Sequence, residues 1–106
     1  MNFENIDVIS LKQKLEEETE CTLLDVRTEI EKEEGDIDGS ILINVMNPDF
    51  YTDIDDLDKE KPCYVFCRSG NRSLTACQIL TENGFKEVYN VEGGILAWKR
   101  ENRFKR

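Results

Sequence analysis

The sequence contains no histidine, and that gap removes the Cys–His and Ser–His catalytic pairs and every His-ligated zinc or copper site. It has no run approaching the roughly 18 apolar residues that a membrane-spanning helix needs. Its opening, MNFENIDVIS, carries neither the basic region nor the apolar core of a secretion signal. A cytoplasmic protein that does not engage a membrane is expected. Only two prolines occur, no Gly-, Ser- or Pro-rich stretch reads as a linker, and no segment repeats. The four cysteines, Cys21, Cys63, Cys67 and Cys77, form no C-x-x-C pair, which argues against a zinc knuckle or a thioredoxin-type redox couple. Cys63 and Cys67 share a strand face about 13 Å apart, too far for a disulfide. No metal or organic cofactor is implied.

What is present suits one domain spanning residues 1–106, with 39% apolar and 35% charged side chains and a formal net charge of −9. A chain of this size buries enough apolar surface to fold without disulfides. The charge is uneven. Residues 1–66 hold 6 Lys or Arg against 19 Asp or Glu, whereas residues 67–106 hold 8 against 4, so the balance changes sign at Cys67. An acidic body argues against general nucleic-acid binding, while the field around one cysteine is set by its own neighbours.

Along the chain, strands alternate with helices. Ile6–Ile9 reads as a strand and Ser10 as the N-cap of a helix that carries Leu11 and Leu15 inward and ends near Glu18. Cys21–Val26 is a second strand, Glu29–Glu34 a polar helical turn closed by Gly35, and Ile41–Val45 a third strand. Residues 47–61, rich in acid, read as a solvated loop or short helix. Pro62–Phe66 has the continuous apolar character of a central strand buried on both faces. A helix is predicted from Asn71 to Asn83, with Leu74, Cys77 and Thr81 on its inner line and Gly84 as its stop. Lys86–Val91 and Ile95–Asn102 complete the pattern as strand and helix. This alternation predicts a parallel sheet with helices on both faces, in which ligands bind beyond the carboxyl ends of the strands. The places to look for chemistry are therefore the segments after Asp25 and Phe66.

The segment Cys67-Arg68-Ser69-Gly70-Asn71-Arg72-Ser73 joins the buried strand to the strongest helix. A turn of small residues with Gly70 free to take positive φ can aim successive N–H groups inward as an anion nest. The helix start adds its positive end, and Arg68 and Arg72 add charge. A cysteine at the mouth of that nest is expected to have a lowered pKa without any histidine. It could carry a further sulfur as a persulfide, whose negative charge the same donors would satisfy.

These residues resemble a known family, the single-domain rhodaneses or thiosulfate sulfurtransferases. The resemblance spans nearly the whole chain. It rests on Leu24-Asp25-Val26-Arg27, on the Cys67–Ser73 segment, and on Gly93-Gly94-Ile95-Leu96-Ala97-Trp98. It implies a three-layer α/β fold with a five-stranded parallel sheet in the order 3-2-4-5-1. It also implies a sulfurtransferase in which Cys67 takes the sulfane sulfur of thiosulfate or a persulfide donor and passes it to a thiophilic acceptor, cyanide in vitro or a thiol in the cell. Arg68 and Arg72 would orient the anionic donor, and the N–H groups of Arg68, Ser69, Gly70, Asn71 and Arg72 would cradle the persulfide. Asp25, Arg27 and Ser73 would support the loop, with Asp25 a candidate partner for a loop arginine. A protein sulfur donor or acceptor would fit the same reading.

Two other readings use the same loop. A cysteine phosphatase or arsenate reductase also surrounds an anion nest with cysteine and arginine, but its pattern has five residues between them, whereas Cys67 and Arg72 are separated by four. A non-catalytic docking module would keep the fold, yet the intact Cys67, Gly70 and Arg72 argue against it. The chain departs from the family at Gly35-Asp36-Ile37-Asp38-Gly39-Ser40-Ile41-Leu42, where Asp36 and Leu42 stand in place of a usual His and Asn. Gly93 and Gly94 read as a sharp turn packed near the loop, Trp98 and Cys77 as core residues, and Cys21 as structural. The basic ending from Lys99 to Arg106 reads as surface charge offsetting a helix dipole; steering an acidic partner or thiolated RNA is its alternative use.

Overall fold

Alternating apolar residues on two neighbouring strands set the architecture, because each side of such a sheet must then be covered. The protein is described by a computed structural model over residues 3–102. Its strands are β1 (Glu4–Ile6), β2 (Thr22–Asp25), β3 (Ile41–Leu42), β4 (Cys63–Phe66) and β5 (Val88–Val91). Its helices are α1 (Val8–Glu17), α2 (Glu29–Glu33), α3 (Phe50–Ile54), α4 (Asn71–Glu82) and α5 (Gly94–Asn102). The sheet order is β1-β5-β4-β2-β3, the expected order read from the other edge, and every neighbouring pair is parallel.

β4 lies at the centre, and all four of its residues are buried. Cys63 and Val65 join Leu24, Phe50, Ile54, Ala76, Cys77 and Leu80 in one core, under α3 and α4. Tyr64 and Phe66 point the other way, into a second core with Val8, Leu11, Val91 and Ile95 under α1 and α5. Trp98 packs, partly buried, against this second core. The register Asp25↔Phe66 brings the carboxyl ends of β2 and β4 side by side, so the two segments singled out for chemistry emerge together.

Several expectations are corrected. The first strand ends at Ile6, and Asp7, not Ser10, is the N-cap, its carboxylate accepting the Ser10 N–H at 2.7 Å. The reason is that helix beginning at Val8 lets Val8 and Leu11, three apart, share a buried face. β3 is two residues long instead of five because Asn44 turns the chain, its side chain accepting the Met46 N–H at 2.9 Å. On α4 the buried stripe is Ser73, Ala76, Cys77 and Leu80, which leaves Leu74 40% exposed. Residues 47–61 are not merely solvated, since α3 inserts Phe50 at 1% and Ile54 at 0% exposure into the first core. Acidic residues around them, Asp49, Asp53, Asp55 and Asp56, mask a short amphipathic turn. Positions 103–106 of the basic ending lie outside the described residues, while Lys99 caps the end of α2 by donating to the Glu34 carbonyl at 2.8 Å.

Ile54→Ala should therefore destabilise the fold by about 2–5 kcal/mol in urea unfolding; a change near zero would mean that α3 is a surface segment after all.

Candidate functional site

Cys67 follows the last residue of β4, and Gly70 makes the turn into α4. Gly70 takes φ +110, in the left-handed region, and serves as N-cap without a side chain to offer. The cysteine sulfur fills the capping role. Cys67 Sγ accepts the Gly70 N–H at 3.1 Å and the Ser73 N–H at 3.4 Å, and its thiol reaches Ser73 Oγ at 3.4 Å. The third helical residue usually donates to an N-cap side chain; here it donates to sulfur.

These contacts separate Cys67 from the other thiols. Burial is the largest single influence on Cys67 and pushes its pKa up, but hydrogen bonds from Ser73, Gly70 and Ser69 together outweigh it and hold the thiol below its ordinary value. Burial pushes Cys63 up to about 12 and raises Cys77 and Cys21 as well. The lowering comes chiefly from loop hydrogen bonds, and the Arg72 charge that the sequence suggested is coupled to the sulfur more weakly. Cys67 is also 1% exposed, so it lies beneath the loop and not at an open mouth, with Arg68, Ser69 and Asn71 forming the exposed rim.

The loop is held from two sides. On one, Arg72 donates to both carboxylate oxygens of Glu31 at 2.8 and 2.7 Å, a bidentate geometry that fixes position as well as charge. Glu31 is itself placed by a capping box with Thr28 at the start of α2. Arg27 braces α2 from below. Its guanidinium donates to Asp25 at 2.9 and 2.8 Å, to the Glu31 carbonyl at 3.1 Å and to the Gly35 carbonyl at 2.9 Å. On the other side, the Ile95 and Leu96 N–H groups donate to the carbonyls of Cys67 and Arg68 at 2.9 and 3.2 Å. That approach needs a glycine: a Cβ at Gly94, φ +55, would stand 2.4 Å from the Cys67 carbonyl oxygen. Gly93 and Gly94 thus serve close packing, as the sequence indicated.

The structure brings Cys67, Arg68, Ser69, Gly70, Asn71, Arg72 and Ser73 into one loop and places Asp25 and Arg27 at the neighbouring strand end. It does not pair Asp25 with a loop arginine. Asp25 and Arg27 bind each other, both essentially buried at 0% and 1% side-chain exposure, because they leave the strand two residues apart and point the same way. The Arg68 side chain makes no ion pair or hydrogen bond among the described residues and is exposed, while Arg72 is held by Glu31. Asp36 pairs with Lys32 one helical turn earlier. Sequence reasoning missed Glu31, although Thr28-x-x-Glu31 is a readable capping box, and missed Asn90, a lone polar residue in the run Val88-Tyr89-Asn90-Val91. Among the described residues no three Cys, Asp or Glu side chains are gathered where they could hold a metal ion, and no helix is long and apolar enough to cross a membrane.

A buried cysteine cradled by amides at a strand-to-helix turn, on this sheet order, defines a class, and comparison with known proteins agrees. Residues 7–101 match the family described as the Rhodanese-like domain, and the chain belongs to that family. It is similar to a Bacillus subtilis protein named "Putative sulfurtransferase YtwF", at 41% identity over 97% of each chain. It is also similar to "Thiosulfate sulfurtransferase GlpE" of Shewanella oneidensis, at 33% identity over 95% of this chain and 97% of that one. Among solved structures, a rhodanese-like domain protein from Staphylococcus aureus superposes with a TM-score of 0.81 at 32% identity, over 91% of both chains.

Two outcomes follow from the clamps. Asp25→Asn leaves the Arg27 charge buried without its partner and should cost about 3–5 kcal/mol of stability, read by urea unfolding; an unperturbed midpoint would show that Arg27 needs no counter-charge. The Arg72 guanidinium holds the Glu31 carboxyl at about 2, below its ordinary 4.5. A carboxylate whose folded pKa is depressed stabilises the fold above its unfolded pKa and loses that contribution as pH falls. Wild-type stability should therefore decline between about 4.5 and 2, and Glu31→Gln should remove on the order of 1 kcal/mol of that decline.

Proposed function

We propose that this protein is a sulfurtransferase that carries a sulfane sulfur on Cys67. The observation that bears the reading is the Cys67 sulfur itself, which accepts amide N–H groups from Gly70 and Ser73 while every other cysteine in the chain has its pKa raised. Such a sulfur is a nucleophile near neutral pH. The similarity to proteins named as sulfurtransferases supports the reaction class.

The thiolate attacks the outer sulfur of the donor. A new S–S bond forms to Cys67 as the donor's own S–S bond breaks, and the leaving group departs with the electron pair, as sulfite from thiosulfate or as a thiolate from a persulfide. The anionic outer sulfur of the Cys67 persulfide is then stabilised by the amide donors of the loop. An acceptor thiolate attacks that outer sulfur and returns Cys67 to its thiolate. Arg68, exposed and unpaired among the described residues, is the side chain placed to meet an anionic donor, whereas Arg72 shapes the loop through Glu31. The donor is thiosulfate or a persulfide of the cytosol, small or protein-bound. The chemistry needs no cofactor.

Intact mass of the reduced protein before thiosulfate, after it, and then after cyanide tests the reading, with Cys67→Ser alongside. One added sulfur atom should appear on the native protein, leave with cyanide and be absent from the serine variant. Failure of both thiosulfate and a low-molecular-weight persulfide on the folded protein would overturn the sulfurtransferase reading and favour a docking module.

A further inference from the structure

Asn90 is a buried carboxamide, 3% exposed, in a strand whose neighbours on either side are apolar. Buried polar side chains are retained where they are hydrogen-bonded, and Asn90 is bonded at both ends. Its Oδ1 accepts a short hydrogen bond from Ser73 Oγ, and its Nδ2 donates to Asn5 Oδ1 at 3.0 Å. Asn5 is the directly opposed residue on β1, at the exposed sheet edge. Ser73 Oγ is the same atom that meets Cys67 Sγ. A continuous chain therefore runs from the sulfur through α4 and β5 to the edge strand.

Its polarity is informative. The Cys67 thiol donates to Ser73 Oγ, the single Ser73 hydroxyl proton serves Asn90 Oδ1 and the Gly70 carbonyl, and Asn90 donates onward to Asn5. With the proton on sulfur this direction fits the thiol, and the lowering of the Cys67 pKa by the Ser73 side chain belongs to the opposite direction, in which the hydroxyl donates to the anion. A thiolate or persulfide anion has no proton to give and needs a donor instead. If the Ser73 hydroxyl turns to the sulfur, its lone pairs face Asn90, and a half-turn of the Asn90 carboxamide presents Nδ2 to Ser73 and Oδ1 to Asn5. A matching half-turn of Asn5 returns Nδ2 to Asn90. Ser73, Asn90 and Asn5 each keep a partner in both states, and only the Gly70 carbonyl gives up its share of the Ser73 proton, because a carboxamide is donor and acceptor at once; a carboxylate could only accept.

We propose that Asn90 and Asn5 form a reversible hydrogen-bond relay that reverses direction as Cys67 passes between thiol and anion, making both of them positioning residues that act through Ser73. The inference rests on Cys67 being the reactive thiol. The charged and titratable groups near the sulfur lie elsewhere: Arg72 against Glu31, Arg27 against Asp25, Arg68 on the rim, and Cys77 beneath on α4. Glu92 borders the groove beside Asn5 and Asn90 but hydrogen-bonds to neither among the described residues.

The rate of iodoacetamide alkylation at Cys67 of the full chain, followed by peptide mass across pH, tests the relay without any sulfur donor. Asn5→Asp can only accept, so it locks the chain in the thiol direction and should slow alkylation at neutral pH about threefold. Asn5→Lys can only donate and should speed it about threefold. Asn5→Gln should behave as wild type. Both effects should vanish in an Asn90→Leu background and should survive in about 1 M salt, where the Debye length is about 3 Å. Effects that persist in Asn90→Leu or disappear in salt would mean through-space charge and overturn the relay. Wild-type rates in both charged variants would also overturn it. The salt comparison needs no change at the buried position, so it decides the matter even if Asn90→Leu does not fold. Sulfur uptake failing while this alkylation pattern holds would sink the sulfurtransferase reading and leave the relay.

Discussion

One buried guanidinium organises the carboxyl end of the sheet. Arg27 donates to the Asp25 carboxylate and to backbone carbonyls at Glu31 and Gly35, with Phe66 of the central strand beneath it at 5.6 Å. Taking two charges out of water is expensive, and the geometry offsets that penalty only because nearly every donor is satisfied. The consequence is an α2 tied to the sheet through its backbone despite its five residues and lack of any buried side chain. That tie matters because α2 presents Glu31 to Arg72 and so holds one end of the cysteine loop.

The other end is fixed by backbone alone. Glycine at position 94 lets α5 approach until its amides reach the Cys67 and Arg68 carbonyls. With their carbonyls engaged outward, the loop residues can turn amides inward to the sulfur, which is the arrangement an anion nest requires. The backbone amides of Gly70 and Ser73 are thus already oriented towards the sulfur. Neutralisation of Arg27 and Arg72 by carboxylates sharpens the point: their task is to shape the loop, and Arg68 is the charge that faces solvent.

Position in the sheet explains why only Cys67 among the four cysteines has its pKa lowered. Cys63 and Cys77 lie in the same core as Cys67 and lose solvation without gaining donors, so burial raises their pKa values. Cys67 loses solvation too, but it sits where strand becomes helix and unpaired N–H groups are available. Between Cys63 and Cys67, four residues along one stretch of chain reverse the direction of the shift.

Much of this was legible in the chain. Apolar runs and turn residues gave the alternation of strands and helices, and the Cys67–Ser73 segment disclosed its turn with amides on the sulfur because a nest depends on local backbone geometry. Glu31 and Asn90 were not legible as site residues, because their partners are distant in sequence: Arg72 lies across the loop from α2, and Ser73 and Asn5 meet Asn90 only through sheet pairing. The Asp25–Arg27 pair was misread for the opposite reason, a close neighbour on the strand being a better partner than a remote arginine. Acidic residues likewise left α3 open between solvated loop and short helix, since Phe50 and Ile54 reveal themselves only against a core to fill. By itself the sequence determined what short-range forces decide, namely most of the elements and the cysteine loop between the central strand and its helix. The tertiary structure decided which charges neutralise which and how Ser73 is linked to the sheet edge, because those interactions exist only once parallel strands have brought remote segments within hydrogen-bonding distance.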